Sequence, residues 1–191
     1  AADAPSLWEL SAHIFTIAAL PQSINVLRQR SRNVLEALRQ DTGETAFVAI
    51  PDGTRFVVIE SVESDHSLRS ALRVGQFIEP ERTASGRAFL PYLSLEQQRA
   101  MLGRDPTEEE IDQFSRTLER GFGVSVGDVS LGATNLATTL FGTGGEPIGV
   151  LVISGPSERL TEASHDRIGS LLIKHAKSLS RSGAHPKTAH E

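Results

Sequence analysis

Apolar positions in the first forty residues keep a helical period. From Ser6 to Leu20, Leu7, Leu10, Ile14, Ile17 and Ala18 share one stripe behind a capping serine, which predicts a helix stopped by Pro21. A second helix is expected from Pro21 to about Gln40, with Ile24, Leu27, Val34, Leu35 and Leu38 on one face, Arg28, Arg30, Arg32 and Arg39 largely elsewhere, and Gly43 as its cap. The period then changes. Residues 44–51 and 54–62 are β-branched and aromatic runs flanking Asp52-Gly53, a hairpin signal, and the alternation from Ser67 to Val74 predicts a third strand. After Gly75 and a polar stretch, a short helix is expected to open near Thr83. Ser94 with Gln97 and Thr107 with Glu110 are capping-box pairs that start two more helices, the second ending at Gly121. A short strand at 122–127, a glycine-containing linker at 129–135, and a hairpin of Leu136–Phe141 with Ile148–Ile153 follow. Thr161 is placed to cap a last helix reaching about Leu179, with Ile168, Leu171, Leu172, His175 and Leu179 inward.

Adjacent hairpins imply an antiparallel sheet of about six strands with helices mainly on one face, an α+β fold. The composition suits it. With 191 residues and 39% hydrophobic content, the chain has enough apolar side chain for one globular domain. Zero cysteines exclude disulfides, thiolate zinc sites, iron–sulfur clusters and a cysteine nucleophile. The formal charge of −5 argues against this stretch gripping a phosphate backbone by itself. The best apolar run, Ile14–Leu20, is far short of a bilayer span, and no signal-peptide order opens the chain, so no membrane role and a cytoplasmic location are expected.

Candidate catalysis is thin. Of six histidines, His66 falls in a turn, His165 at a helix start and His185 and His190 in the tail, while His13 and His175 sit on helices where they can face inward. None adjoins a nucleophile elbow or a phosphate loop. Glu162, His165 and Asp166 have metal-ligand types at helical spacing, yet acids solvated at a helix start explain them better. Gly144-Gly145 has no strand–turn–helix around it. What remains is Thr83-Ala-Ser-Gly86, where small residues at a helix N-terminus would let an anion approach unpaired amides, or where Thr83 or Ser85 merely caps the helix. Ser154 is either an inward hydroxyl or the start of a turn at Gly155-Pro156, and Asn135 reads first as a turn residue.

Several landmarks in order carry a resemblance: Leu68-Arg69, Val74-Gly75, Thr83-Ala-Ser-Gly-Arg-Ala-Phe-Leu90, Arg120-Gly-Phe-Gly-Val124, Gly132, residues 149–156 and Arg159-Leu-Thr161. Together with Leu35 to Thr45 upstream, they resemble the effector-binding domain of IclR-type bacterial transcription regulators, over about Ser6 to Leu179. The resemblance implies a GAF-like domain at 21–182 and a linker helix at 1–20 leading from a winged helix-turn-helix that this stretch lacks, while the absence of periodicity at the end of the chain predicts a disordered tail at 183–191. It implies no enzyme activity, no metal and no cofactor. The effector would be a small organic acid held by Thr83, Ala84, Ser85 and Gly86, with Ser125, Asn135 and Ser154 as the facing polar wall. Phe89 and Val152, with Leu72 and Leu136, would supply apolar lining, and Asp128 a supporting acid. Ser125 stands where many members carry aspartate, Asn135 where cysteine is frequent, and Val152 where acid-binding members can carry a hydroxyl. Subunits would pair as homodimers or homotetramers, meeting DNA only through the N-terminal domain. The alternatives are a small GAF-like enzyme and a ligand-free oligomerisation domain.

Overall fold

A computed structural model describes residues 22–180. The expected 1–20 helix and the tail from 183 lie outside them. Helix α1 runs over Gln22–Thr42, and its turns bury Leu27, Ser31, Leu35 and Leu38. Its other side is tied to the sheet by charge, since Arg28 and Arg32 both reach the buried Glu60 carboxylate, at 3.1 and 3.3 Å. The hairpin β1 (Thr45–Asp52) and β2 (Arg55–Val62) turns at Gly53, whose φ of +60° suits a residue without Cβ. Strand β3 is the pair Phe77–Ile78 on the outer edge of β2. Then come α2 (Ala84–Phe89), a 3₁₀ turn at Leu90–Tyr92, α3 (Leu95–Leu102), α4 (Glu108–Arg120), β4 (Gly123–Val126), β5 (Ala133–Phe141), β6 (Pro147–Pro156) and α5 (Glu162–Leu179).

The sheet order is β3-β2-β1-β6-β5-β4, with every neighbouring pair antiparallel. The central strands β1 and β6 are buried on both faces, so the two sides of the sheet hold separate cores. On one face α1 and α5 pack Leu35, Leu38, Ile168 and Leu172 onto Val48, Leu136, Leu151 and Ile153. On the other, α2 sets Ala84, Ala88 and Phe89 against Phe47, Ala137, Val150 and Val152. The long helices thus share one face, while the opposite face is covered by a short helix and by loops.

Both capping boxes form as expected, and Gly121 closes α4 in the left-handed conformation. Four expectations change. Ser67–Val74 is a loop rather than a strand: Leu68 and Val74 are exposed, and no neighbouring strand pairs with the segment. Strand β5 begins at Ala133, so Asn135 lies within it rather than in a turn. In α5 the buried position is Ala176, with His175 only half-buried beside it, and Thr161 occupies the cap position without a side-chain capping bond.

Candidate functional site

Cross-strand register builds the site. Ser125 pairs with Asn135, Asn135 with Ser154, and Ser154 with Thr45, so four strands contribute one polar residue each to a single row. Alternation puts this row on the α2 face, one step beyond the row Gly123, Ala137, Val152 and Phe47. A largely apolar face, on which Thr139 donates to the Ala88 carbonyl at 2.8 Å, therefore ends in a band of hydroxyls and one amide. Ser125, Ser154 and Thr45 are buried, and Asn135 is half-buried.

The loop at 67–74 crosses the end of this band. Ser154 donates to Ser70 Oγ at 2.8 Å, and Thr45 donates to the Ser70 carbonyl at 2.7 Å while accepting the Ser64 amide at 3.1 Å. Asn135 donates to Ser125 Oγ at a long 3.5 Å. Opposite the loop stand Val129 to Gly132, and between the two walls lies a cleft of about 720 Å³ lined by Asn135, Ser154, Ser70 and Leu72 among others, with Arg69 at its side. That volume is ample for a small organic molecule. Leu131 and Val129 are 96% and 63% exposed at its mouth.

Helix α2 backs the same face, but its first turn is closed. Thr83 Oγ1 accepts the Gly86 amide at 3.1 Å and donates to the Glu79 carbonyl at 2.9 Å. A Cβ at Gly86 would lie on the Pro80 carbonyl oxygen, and one at Gly123 would press on the α2 backbone at Ala84 and Ala88. Small residues here bring helix, turn and sheet together. Thr83, Ala84, Ser85, Gly86 and Phe89 are buried, and none of them lines the cleft. Val152 sits in the core beneath α2, and Leu136 faces the opposite core. Asp128 is drawn elsewhere, accepting from Arg87 at 2.9 Å and from the Val126 amide at 3.2 Å. The structure thus sets Ser125, Asn135 and Ser154 in one row and adds Thr45 and Ser70, which the sequence reading missed; of the row only Asn135 and Ser154 line the cleft, with Leu72 and Ser70, while Ser125 and Thr45 are buried behind it. Thr45 was detectable through its alternation with Phe47 and Ala49; nothing local marks Ser70.

Glu162, His165 and Asp166 form no metal site, since among the described residues no group of three or more His, Asp or Glu is placed to hold an ion. No helix among the described residues is long and apolar enough to cross a membrane.

The family model described as "Bacterial transcriptional regulator IclR C-terminal" matches residues 21–181. The chain is 29% identical over 185 residues to the transcriptional repressor IclR of Escherichia coli strain K12, covering 89% of this chain and 67% of that one. Against the acetate operon repressor of Salmonella typhimurium it is 28% identical over 184 residues, with coverages of 89% and 67%. The crystal structure of Thermotoga maritima IclR has the same fold, with a TM-score of 0.77, 21% identity, and coverage of 90% of this chain and 72% of that one. The fold and these matches define part of a bacterial transcription regulator rather than an enzyme. The chain belongs to the IclR family and corresponds to its C-terminal effector domain.

Proposed function

We propose that this domain senses a small organic acid bound in the cleft between the 67–74 loop and residues 129–132, and that binding alters how subunits associate and so controls an attached DNA-binding domain. The observation that carries the proposal is the polar row Thr45, Ser154, Asn135 and Ser125, set across four strands at the edge of an apolar face. A carboxylate accepts hydrogen bonds only, and the Ser70 and Ser154 hydroxyls with the Asn135 carboxamide N–H supply donors in a cleft that Arg69 also lines. Leu72, Val129 and Leu131 give the cleft apolar side chains for the body of such an acid. The row also holds the 67–74 loop through Ser70, so a ligand that takes Ser154 away from Ser70 shifts that loop. A ligand moves such an equilibrium only by its preference for one arrangement over the other. Ser85, Gly86 and the rest of the α2 start support the sheet from behind.

The test is a calorimetric titration of the chain against a panel of small mono- and dicarboxylates. Binding of at least one acid, weakened in Asn135→Leu, which blocks the cleft, is the expected result. If no acid binds, the sensing role is overturned in favour of a ligand-free oligomerisation domain; if one binds with affinity that the substitution leaves unchanged, the site lies elsewhere and the role of this cleft is overturned.

A further inference from the structure

A second cleft, of about 650 Å³, lies on the other side of the β4 edge, between α4 and the start of α5. Arg87, Arg116 and Arg120 all line it. Arg116 and Arg120 stand one helical turn apart on α4, a like-charge spacing that destabilises a helix unless something neutralises it. Neither has an acidic side chain within ion-pair distance among the described residues. Arg120 donates instead to the Phe122 carbonyl at 2.7 Å and lies over the Phe122 ring. Burial first, and then repulsion from Arg116 and Arg87 against the pull of Asp166, holds its guanidinium below the ordinary arginine range.

Two buried polar atoms at this cleft have no partner. Thr117 is 1% exposed and its Oγ1 makes no hydrogen bond, and the Arg87 Nε is likewise buried and unpaired. Orphaned groups of this kind cost free energy and are rare in native interiors. Of the acids nearby, Asp128 holds Arg87 at 2.9 Å and Glu109 takes the Gln113 amide at 3.4 Å, whereas Glu162, exposed at the first position of α5, also lines the cleft and makes no ion pair among the described residues. The start of α5, an 18-residue helix whose cap residue Thr161 makes no side-chain capping bond, opens on the same space.

We propose that this cleft binds a small oxyanion, phosphate or carboxylate, through Arg116, Arg120, the Thr117 hydroxyl and the first amides of α5. The site is distinct from the polar row and stands whether or not that row binds an acid. Inorganic phosphate and succinate, each at ionic strength matched with sodium chloride, are titrated into the Asn135→Leu protein, so that the other cleft does not contribute. A calorimetric signal with either is expected. Phosphate alone assigns the site to phosphorylated ligands, and succinate as well extends it to carboxylates. Arg116→Gln, on an exposed and unpaired side chain, should weaken binding about tenfold or more, as loss of a charged hydrogen bond does. Thr117→Val should raise the melting temperature of the empty protein by about 2–4 °C while weakening anion binding. No signal above chloride, or a signal that survives Arg116→Gln and Arg120→Gln unchanged, overturns the proposal; a Thr117→Val rise without loss of affinity overturns the part given to the hydroxyl.

Discussion

Gly86 shows how one missing side chain places a whole helix. Thr83 holds the turn of residues 79–83 with its hydroxyl, and the Pro80 carbonyl fills the volume that a Cβ at Gly86 would need. The obstacle is backbone, so it cannot swing aside as a flexible side chain would. Gly86→Ala is therefore expected to destabilise the domain by about 1–3 kcal/mol, the usual range for overpacking, read as a lower urea midpoint at unchanged slope. Sequence alone left the start of α2 open between the approach of an anion and a plain cap by Thr83 or Ser85, and the family resemblance favoured the anion; in the structure Thr83 caps the helix and the smallness of Gly86 serves packing. The signal was the same in both cases, a run of small residues at a helix start. What distinguishes the two is the fold of the preceding turn, which no local pattern reveals. Ser154 illustrates the converse. It was legible as an inward hydroxyl, but its partner Ser70 lies 84 positions away in sequence, a distance over which periodicity carries no information. Removing that bond with Ser154→Ala should cost about 1 kcal/mol of stability in the empty protein, seen in the same urea titration.

At the level of elements, helices were read most faithfully, because their starts are written in adjacent residues. The capping boxes at Ser94 and Thr107 both form as the spacing implied. The strand expected at Ser67–Val74 failed for a physical reason. Alternation describes a segment with one wet and one dry face, and this loop satisfies it by laying Leu72 on the apolar face while Leu68 is 68% exposed. A strand also needs a neighbour, and the segment's carbonyls are instead taken by side chains, with Thr45 reaching Ser70 and Arg159 reaching Leu68 at 2.7 and 2.9 Å. Helix α4 carries a prediction in its own first turn. Arg104 foremost, with the Thr107 backbone amide, holds the Glu110 carboxyl below its usual range despite opposing burial. A carboxyl whose folded value is depressed stabilises the fold above its unfolded value, near pH 4.3, and that contribution fades as pH falls through the lower folded value. Glu110→Gln should accordingly flatten the acid limb of a plot of stability against pH below about 4.3, leaving the neutral-to-alkaline limb unchanged in slope. Denaturant titrations at stepped pH check it; identical acid limbs in the two proteins would remove Glu110 from the pH response.

Across the whole molecule, the cleft, the sheet and α1 are mechanically continuous. Thr45 begins β1, and β1 pairs with β2, whose Glu60 binds Arg28 and Arg32 of α1. A ligand at the polar row therefore acts within two strands of the helix that leads back toward residues 1–21. Continuity alone does not transmit a signal; the bound and free states must differ in how subunits meet, and the ligand must prefer one of them. Both requirements are measurable. An acid at 100 times its dissociation constant should stabilise the folded state by about 2.7 kcal/mol, a rise in Tm of roughly 5–10 °C for a domain of this size. If the same acid also redistributes sedimentation species at fixed protein concentration, ligand and assembly are linked in the sense the proposal requires. A Tm rise with an unchanged sedimentation profile would separate them, leaving a binding site whose occupancy is not reported through association of this domain.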